Sequence, residues 1–537
     1  MTARSDSDCA GHAGEGRSRR VRRRQTVSLL GFVLAVAAVC TAVPIGFLRG
    51  EPVRPETGPI IFTQIPAQPA TGSAQEPGVD ADDLPAGSRI VLFDPSRPDA
   101  SLTDLTAGFS AAGRPDLSFD GRRVLFVARR APEDPLSVWE LALDGGAPRR
   151  IAECLANCAR ATYASTIYTL DAEEAVDQIA FCAASDADDH SAGRHAALYT
   201  SRMDGSRVRQ ITFNPYGACN PLLLSDGRLL YASALPPDAG GGTALFTVNT
   251  DGTDVFVFAD AHGPPAIRGM PCETDDGWVV YVESTANGPL GGGALVGVAR
   301  TRSLHTRRVV AEAAAGSYHS PSALPDGRLL VSYRDAKGGT YGVYVLDRQR
   351  GTGIGKVYDA PDWEDVDAVA VRPRTVPAGR SSVVDERVEY GFLYCLDAYR
   401  TDLTPAGEID DGEIATLRVF RGPDYRTGDA LAGTTEETVL GEVPVHSDGS
   451  FYLQVPARTP LRLETVRSDG KLLQGMRNWL WVMPSERRGC IGCHADRELT
   501  PPNRHVLALR EQPRKLGIDY EEARPTPHRP TRSGYRK

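Results

Sequence analysis

A self-similar unit recurs through residues 59–375, and it leaves few folds open. In 115–127, Ser118-Phe119-Asp120-Gly121 joins a polar turn to the apolar run Val124-Leu125-Phe126-Val127, and a second run from Val138 closes on Asp144-Gly145. The unit returns as Asn220-Pro221, Ser225-Asp226-Gly227-Arg228 and Leu229-Leu230-Tyr231-Ala232, and again as Ser320-Pro321, Pro325-Asp326-Gly327-Arg328 and Leu329-Leu330-Val331-Ser332. Further strands end on Met203-Asp204-Gly205 and Thr250-Asp251-Gly252. Asp-Gly supplies the positive φ that tight hairpins need, and the flanking runs have strand length. Repeats at roughly 40 to 55 residues mark a propeller, whose blades bury their faces only when neighbours stack on them. Unit starts near Ile60, Pro115, Ile179, Pro221, Pro271 and Pro321 predict an all-β fold with about six blades, 366–371 helping to close the ring.

The remainder needs separate accounting, because 537 residues exceed what one core organises. With 54 Gly and 39 Pro, short strands and turns are favoured over long helices. A net charge of −9 argues against a nucleic-acid partner. At the N-terminus, Arg17, Arg19, Arg20, Arg22, Arg23 and Arg24 precede an uncharged, mostly apolar run at 27–48. At about 1.5 Å per residue that run spans a bilayer core of about 30 Å. The expectation is a cytoplasmic basic segment at 1–26, one transmembrane signal anchor at 27–48 and a linker at 49–58. The protein would be single-pass in a bacterial inner membrane, its N-terminus cytoplasmic and its bulk periplasmic. A cleaved signal peptide is the alternative.

From 376 to 504 the period changes. Tyr390-Gly391-Phe392-Leu393-Tyr394-Cys395-Leu396, Ala415-Thr416-Leu417-Arg418-Val419-Phe420 and Leu461-Arg462-Leu463-Glu464-Thr465-Val466 read as strands of a small β domain, with a hairpin about Asp448-Gly449. A last strand, 476–483, carries Trp479, Trp481 and Met483 on one face by period two, either as core or as the wall of a pocket. Residues 505–537 form a basic, Pro-rich tail: solvated, or a docking arm for an acidic partner.

Directly after that strand stands Gly489-Cys490-Ile491-Gly492-Cys493-His494. Ten Cys and ten His placed at random give C-x-x-C-H only ~0.003 times, so the motif is read as attachment of one covalent c-type haem. Cys490 and Cys493 would form the thioethers and His494 would be the proximal iron ligand, with Glu498 as the alternative. Met476, Met483 and His505 are candidates for a sixth ligand. Arg477, Arg487 and Arg488 are candidates for propionate partners, entrance charges or plain surface. A Cys490–Cys493 disulfide or a zinc knuckle is the competing reading, although zinc wants four ligands and no second C-x-x-C exists. Apart from Cys9, Cys40 and the motif pair, six cysteines remain: Cys154, Cys158, Cys182, Cys219, Cys272 and Cys395. Cys154 and Cys158 are close enough to pair or to be two buried thiols.

Two resemblances follow. Leu198-Tyr199-Thr200-Ser201-Arg202-Met203-Asp204-Gly205-Ser206-Arg207-Val208-Arg209-Gln210-Ile211-Thr212 resembles the blade consensus of TolB-like propellers, which implies fold and little about activity. The stretch 443–504, with Asp448-Gly449-Ser450-Phe451, Val455-Pro456-Ala457, Thr459-Pro460-Leu461, Met476-Arg477-Asn478-Trp479 and the haem motif, is similar to the haem-bearing middle domain of hydrazine synthase alpha subunits. That resemblance implies a propeller followed by a β domain with a c-type haem at Cys490, Cys493 and His494. It also implies a tyrosinate iron ligand four residues past the histidine, where this chain has Glu498. The chain runs only 43 residues beyond His494 with no second C-x-x-C-H, so hydrazine synthesis itself is not expected. Two functions stay open: a haem oxidoreductase acting on a small molecule, and a monohaem electron-transfer protein or propeller adaptor serving a redox partner. No Ser-His-Asp, H-E-x-x-H or phosphate-loop pattern supports haem-independent catalysis.

Overall fold

A computed structural model describes residues 57–67, 84–97, 101–152, 158–170, 174–184, 196–236, 241–259, 265–285, 291–401, 409–422, 437–493, 495, 498–501 and 503–517. Among them the strands form eight sheets, six of which lie within 60–381. The repeated Asp-Gly units fold into hairpins as their sequence predicts. At Ser118-Phe119-Asp120-Gly121 the Gly121 N–H donates to the Ser118 carbonyl at 2.9 Å and the Ser118 hydroxyl donates to Asp120 Oδ1 at 2.5 Å. Gly121 sits at φ +70°, and a Cβ there would lie 2.7 Å from the Arg372 carbonyl carbon, so the turn requires glycine twice over.

Ala111–Leu117, Cys158–Tyr168, Ala218–Leu223, Ile267–Glu273, Gly316–Ala323 and Trp363–Ala370 each open one of these sheets. Each lies against the first strand of the next sheet, and Trp363–Ala370 lies against Ala111–Leu117, so the ring is closed and the architecture is a β-propeller. The closing sheet draws on both ends of the repeat region. Ile60–Pro66 pairs antiparallel with Trp363–Ala370, from Ile60 opposite Ala370 to Pro66 opposite Trp363, and on its other side with Arg89–Phe93. Alternate residues of these strands fill clusters between sheets: Ile60, Phe62 and Ala368 on one side, Ile61 and Ile90 on the other.

The opening strands share an irregularity. Arg114, Asn220, Met270 and Ser320 have φ between 37° and 59°, each at a register shift and each followed by proline. Asp367, at φ 55°, repeats the device in the closing sheet. At these bulges Asn220, Met270, Ser320 and Asp367 line one cleft at the ring centre.

After the ring, 372–382 crosses one face of the propeller. Arg374 pairs with Asp116 at 2.9 Å, Arg380 donates to the Asp226 carbonyl at 2.8 Å, and Arg380–Ser381 pairs parallel with Cys158–Tyr168. The chain then enters two further sheets. One is ordered Arg487–Cys490, Tyr390–Cys395, Phe451–Pro456, Arg514–Lys515; the other Thr438–Pro444, Thr416–Arg421, Leu461–Val466, Leu472–Gly475. Tyr390–Cys395 alternates half-buried and buried residues, and its inward Leu393 and Cys395 share a core with Leu417, Val419, Leu461 and Leu463 of the second sheet. That core continues into Ile211, Phe213 and Val255 of the propeller, so the β domain and the ring share one interior.

Several expectations change. Among the described residues no helix is long and apolar enough to cross a membrane, and the expected anchor at 27–48 lies outside them. The single-pass inner-membrane placement with a periplasmic bulk is therefore withdrawn. Cys158 is disulfide-bonded and Cys154 lies outside the described residues, while Cys182, Cys219, Cys272 and Cys395 are buried thiols. The predicted strand at 476–483 does not form, and its one pairing is a bridge between Leu480 and Leu461. Packing continues past 504, since Ala508 and Leu516 are buried and Arg514–Lys515 pairs with Leu453 and Gln454.

Candidate functional site

The C-x-x-C motif begins at the end of an edge strand. Arg487–Cys490 runs parallel to Tyr390–Cys395, with Arg488 opposite Leu393, Gly489 opposite Tyr394 and Cys490 opposite Cys395. Alternation along the strand turns Arg487 outward, where its guanidinium stacks over Phe392 at 4.9 Å, and Arg488 inward, where it is 5% exposed. Arg488 donates to the Val255 carbonyl and lies 4.1 Å over the Phe256 ring, both in the 218–259 sheet of the propeller. Just upstream, buried Glu486 accepts N–H groups from Asp254 at 2.8 Å and Met483 at 2.6 Å. Burial pushes its carboxyl up to about 7, against the pull of Arg488. Trp481 Nε1 donates to the Gly252 carbonyl at 3.0 Å, and a Cβ on Gly252 would meet the Met483 sulfur at 2.9 Å. The motif strand is thus fastened to the propeller before the first cysteine.

Two glycines then let the loop close. A Cβ on Gly489 would fall 2.5 Å from the Tyr394 ring, and one on Gly492 would fall 2.6 Å from the Arg400 carbonyl oxygen. Cys490 and Cys493 are half-buried thiols, and buried Cys395 stands opposite Cys490. Burial, with neighbouring Cys490, pushes the Cys493 thiol up to about 12, and burial also raises Cys395. Thiols this far from ionising are poor nucleophiles, which weighs against Cys493 or Cys395 as a reactive cysteine. Two neighbouring thiols in a tight loop, against which Arg400 sets its carbonyl and Cβ while one of its buried nitrogens has no hydrogen-bond partner among the described residues, fit a group carrying apolar attachment points and negative charge. A c-type haem is such a group. Among the described residues no three His, Cys, Asp or Glu side chains are grouped to hold a metal ion.

The other predicted residues scatter. His494 lies outside the described residues. Glu498 faces the propeller, its Oε2 3.5 Å from Arg302 Nε. Met483 is buried at the propeller seam, Met476 is half-buried with its N–H on the Leu463 carbonyl at 2.9 Å, and His505 is exposed. Arg477 is exposed. Trp479 packs near Gly422 and Pro460, whereas Trp481 meets Phe213 of the propeller edge-on at 5.8 Å. Of the large residues before the motif, Trp481 and Met483 are seam and Trp479 is domain core. Cys395 and Arg400 were not singled out as site residues in the sequence, because a parallel pairing across about ninety residues leaves no periodic signal.

A second polar group lines the ring-centre cleft. Arg160 pairs with Asp367 at 2.6 Å, the Asp367 N–H donates to the Ser320 hydroxyl at 2.8 Å, and that hydroxyl lies 2.8 Å from His319 Nδ1. Burial lowers His319 to about 4, so it is neutral at physiological pH.

Residues 412–495 match the family described as hydrazine synthase alpha subunit middle domain. The hydrazine synthase subunit alpha of Kuenenia stuttgartiensis is 25% identical over 514 residues, covering 76% of this chain. The chain spans 63% of the length of that curated relative. The solved structure of Kuenenia stuttgartiensis hydrazine synthase superposes with a TM-score of 0.71 at 23% identity, covering 85% of this chain and 72% of that one. TolB from Acinetobacter baumannii matches at a TM-score of 0.39 and 14% identity, over 58% of this chain and 66% of that one.

Proposed function

We propose that this hydrazine synthase alpha-like chain carries one covalent c-type haem on Cys490 and Cys493, in a β domain fastened to a six-bladed propeller, and uses it for redox chemistry on a small molecule. The pair of half-buried neighbouring thiols in a glycine-tightened loop is the observation that supports this most. When bound, such a haem supplies a one-electron couple and an iron that accepts ligands. The chain's own residues do the positioning. Glu486, Arg488 and Trp481 hold the motif strand rigid against the propeller, so the two sulfurs keep one geometry. Ionisation of Cys493 is suppressed by burial, which protects it from adventitious oxidation before attachment. His494 follows as the proximal ligand; Glu498, the alternative, is already engaged by Arg302. Met483 is held at the Gly252 turn and His505 is exposed, which favours an iron open to a small molecule over a two-ligand carrier. Hydrazine synthesis is not part of this reading, since Glu498 replaces the tyrosinate the family resemblance implies.

Haem staining on a denaturing gel should persist in the wild type and vanish in Cys490→Ser/Cys493→Ser. A stoichiometric zinc signal without haem would overturn the assignment. The reduced protein should bind carbon monoxide rapidly from a high-spin state, unchanged by His505→Ala. A low-spin spectrum that resists carbon monoxide would instead leave an electron carrier working with a redox partner.

A further inference from the structure

We propose that the ring-centre cleft of the propeller is a second binding site, separate from the C-x-x-C loop, for a small zwitterion: an α-amino acid with a short side chain. All six opening strands contribute to this cleft, and the repeat itself separates structural need from ligand chemistry. The hairpin turns that follow four of those strands keep one solution, Asp-Gly at 120–121, 226–227, 276–277 and 326–327, because the turn geometry demands it. The bulge positions keep the geometry and vary the chemistry: Arg114, Asn220, Met270, Ser320 and Asp367 all hold φ between 37° and 59°. Backbone need alone would select glycine or asparagine at every one of them, so the other side chains are kept at positive φ for what they present.

Tracing the hydrogen bonds leaves three polar groups for a ligand. Ser320 is engaged: its hydroxyl accepts from Asp367 N–H at 2.8 Å and lies 2.8 Å from His319 Nδ1. Met270 is engaged as well, its sulfur accepting the Ser320 N–H at 3.4 Å. Arg160 and Asp367 are only half engaged. Their ion pair joins residues 207 apart in sequence through Nη2 and Oδ1 at 2.6 Å, and neither side chain has another hydrogen bond among the described residues. An arginine placed only to tie two strands would make the two-pronged contact its fork allows. Here the guanidinium side chain is 23% exposed, and its Nε and Nη1, with Asp367 Oδ2, remain for the cleft that both residues line. Burial opposes ionisation of Asp367, but Arg160 holds it below the ordinary carboxylate range, so both charges are present. The third group is the Asn220 amide. Its Nδ2 lies 3.5 Å from the place a Cβ on Gly269 would take, on the neighbouring opening strand, and the amide has no hydrogen bond among the described residues.

These three groups define the ligand class. A lone anion in the cleft would meet Asp367, and a lone cation would meet Arg160. A molecule with both charges on one carbon satisfies each, its carboxylate on the free edge of Arg160, its ammonium on Asp367 Oδ2, and the Asn220 amide bonded to either. Pro115, Pro221, Pro271 and Pro321 wall the cleft and leave an apolar place for a short side chain, in about 380 Å³ counting the open mouth.

Calorimetric titration of the full-length protein with L-alanine tests this, with propanoate and ethylamine as the two half-ligands. One saturable site per chain is expected for L-alanine, with each half-ligand bound at least about tenfold more weakly. Arg160→Gln and Asp367→Asn should each weaken L-alanine binding at least about tenfold. Asn220→Gly tolerates the positive φ, leaves the ion pair in place and should weaken binding about fivefold. Far-UV circular dichroism checks folding; should the two charge variants unfold, Asn220→Gly and the half-ligands on the wild type decide. No saturable L-alanine binding up to about 10 mM would overturn the proposal. So would propanoate binding as tightly as L-alanine, the mark of a plain anion site, or L-alanine binding unchanged in Asn220→Gly.

Discussion

The propeller has two seams, the closure of its ring and the junction with the β domain, and they are held by different bonds. At closure, Ile60–Pro66 lies between Arg89–Phe93 and Trp363–Ala370 in a continuous ladder, with the buried Gln64 amide donating to Asp365 Oδ1 at 2.9 Å. At the junction no β-domain strand pairs with a strand of the 218–259 sheet among the described residues. Trp481, Glu486 and Arg488 reach backbone groups of Gly252, Asp254 and Val255 instead. A ladder spreads its energy over many backbone bonds and tolerates loss of one side chain. A junction of a few side-chain anchors does not.

That contrast predicts a ranking. Trp481→Ala removes edge-on contact with Phe213, the Gly252 hydrogen bond and a fully packed ring, and should cost about 3–5 kcal/mol in urea unfolding. Gln64→Ala leaves one Asp365 oxygen without its amide donor inside an intact ladder and should cost about 1–3 kcal/mol. Equal losses would erase the distinction between the seams.

Both seams also contain a buried carboxyl near neutrality: burial lifts Asp365 from 3.8 to about 7 and Glu486 from 4.5 to about 7. Below about pH 4 folded and unfolded chains both carry these protons. As pH rises toward 7 the unfolded chain loses them first, so folding takes up protons and stability falls, by up to about 1.4 kcal/mol per pH unit for each group. Urea midpoints at pH 4.5 and 7.5 measure this decline. Glu486→Gln should remove its share and leave that of Asp365; a variant with the wild-type slope would show that Glu486 does not titrate at the seam.

The same contrast explains what was legible in the sequence. Hairpins such as Ser118–Arg123 are made by neighbours in the chain, so Asp-Gly turns and apolar runs announce them, and the closing strand could be read at 366–371 because the same repeat begins at Ile60. The C-x-x-C-H motif is equally local. Its surroundings are not: Cys395 and Arg400 reach the motif through a parallel edge pairing, and Glu486 reaches Asp254 from 232 residues away. Burial on both faces hid the course of 479–483, where Trp479, Leu480, Trp481, Val482 and Met483 are all buried and period two carries no information. The arginines chosen by proximity in sequence, Arg477, Arg487 and Arg488, face solvent, a ring or the propeller.

The smallest effect separates a tether from a ligand. Arg302 and Glu498 lie 3.5 Å apart with side chains 63% and 28% exposed, so Arg302→Ala should change stability by less than about 1 kcal/mol, and by less still in high salt. Glu498 nevertheless stands four residues past the motif histidine, where a ligand to iron is the competing role. If the pair only ties this segment to the 267–311 sheet, Arg302→Ala leaves the absorption spectrum of the oxidised haem protein unchanged from pH 5 to 8. A carboxylate released from Arg302 and able to reach the iron would alter that spectrum, and Glu498→Gln would reverse the change. That outcome would move the iron ligand from His494 to Glu498, since a tether has no means of altering the haem spectrum, whereas a competing ligand cannot avoid doing so.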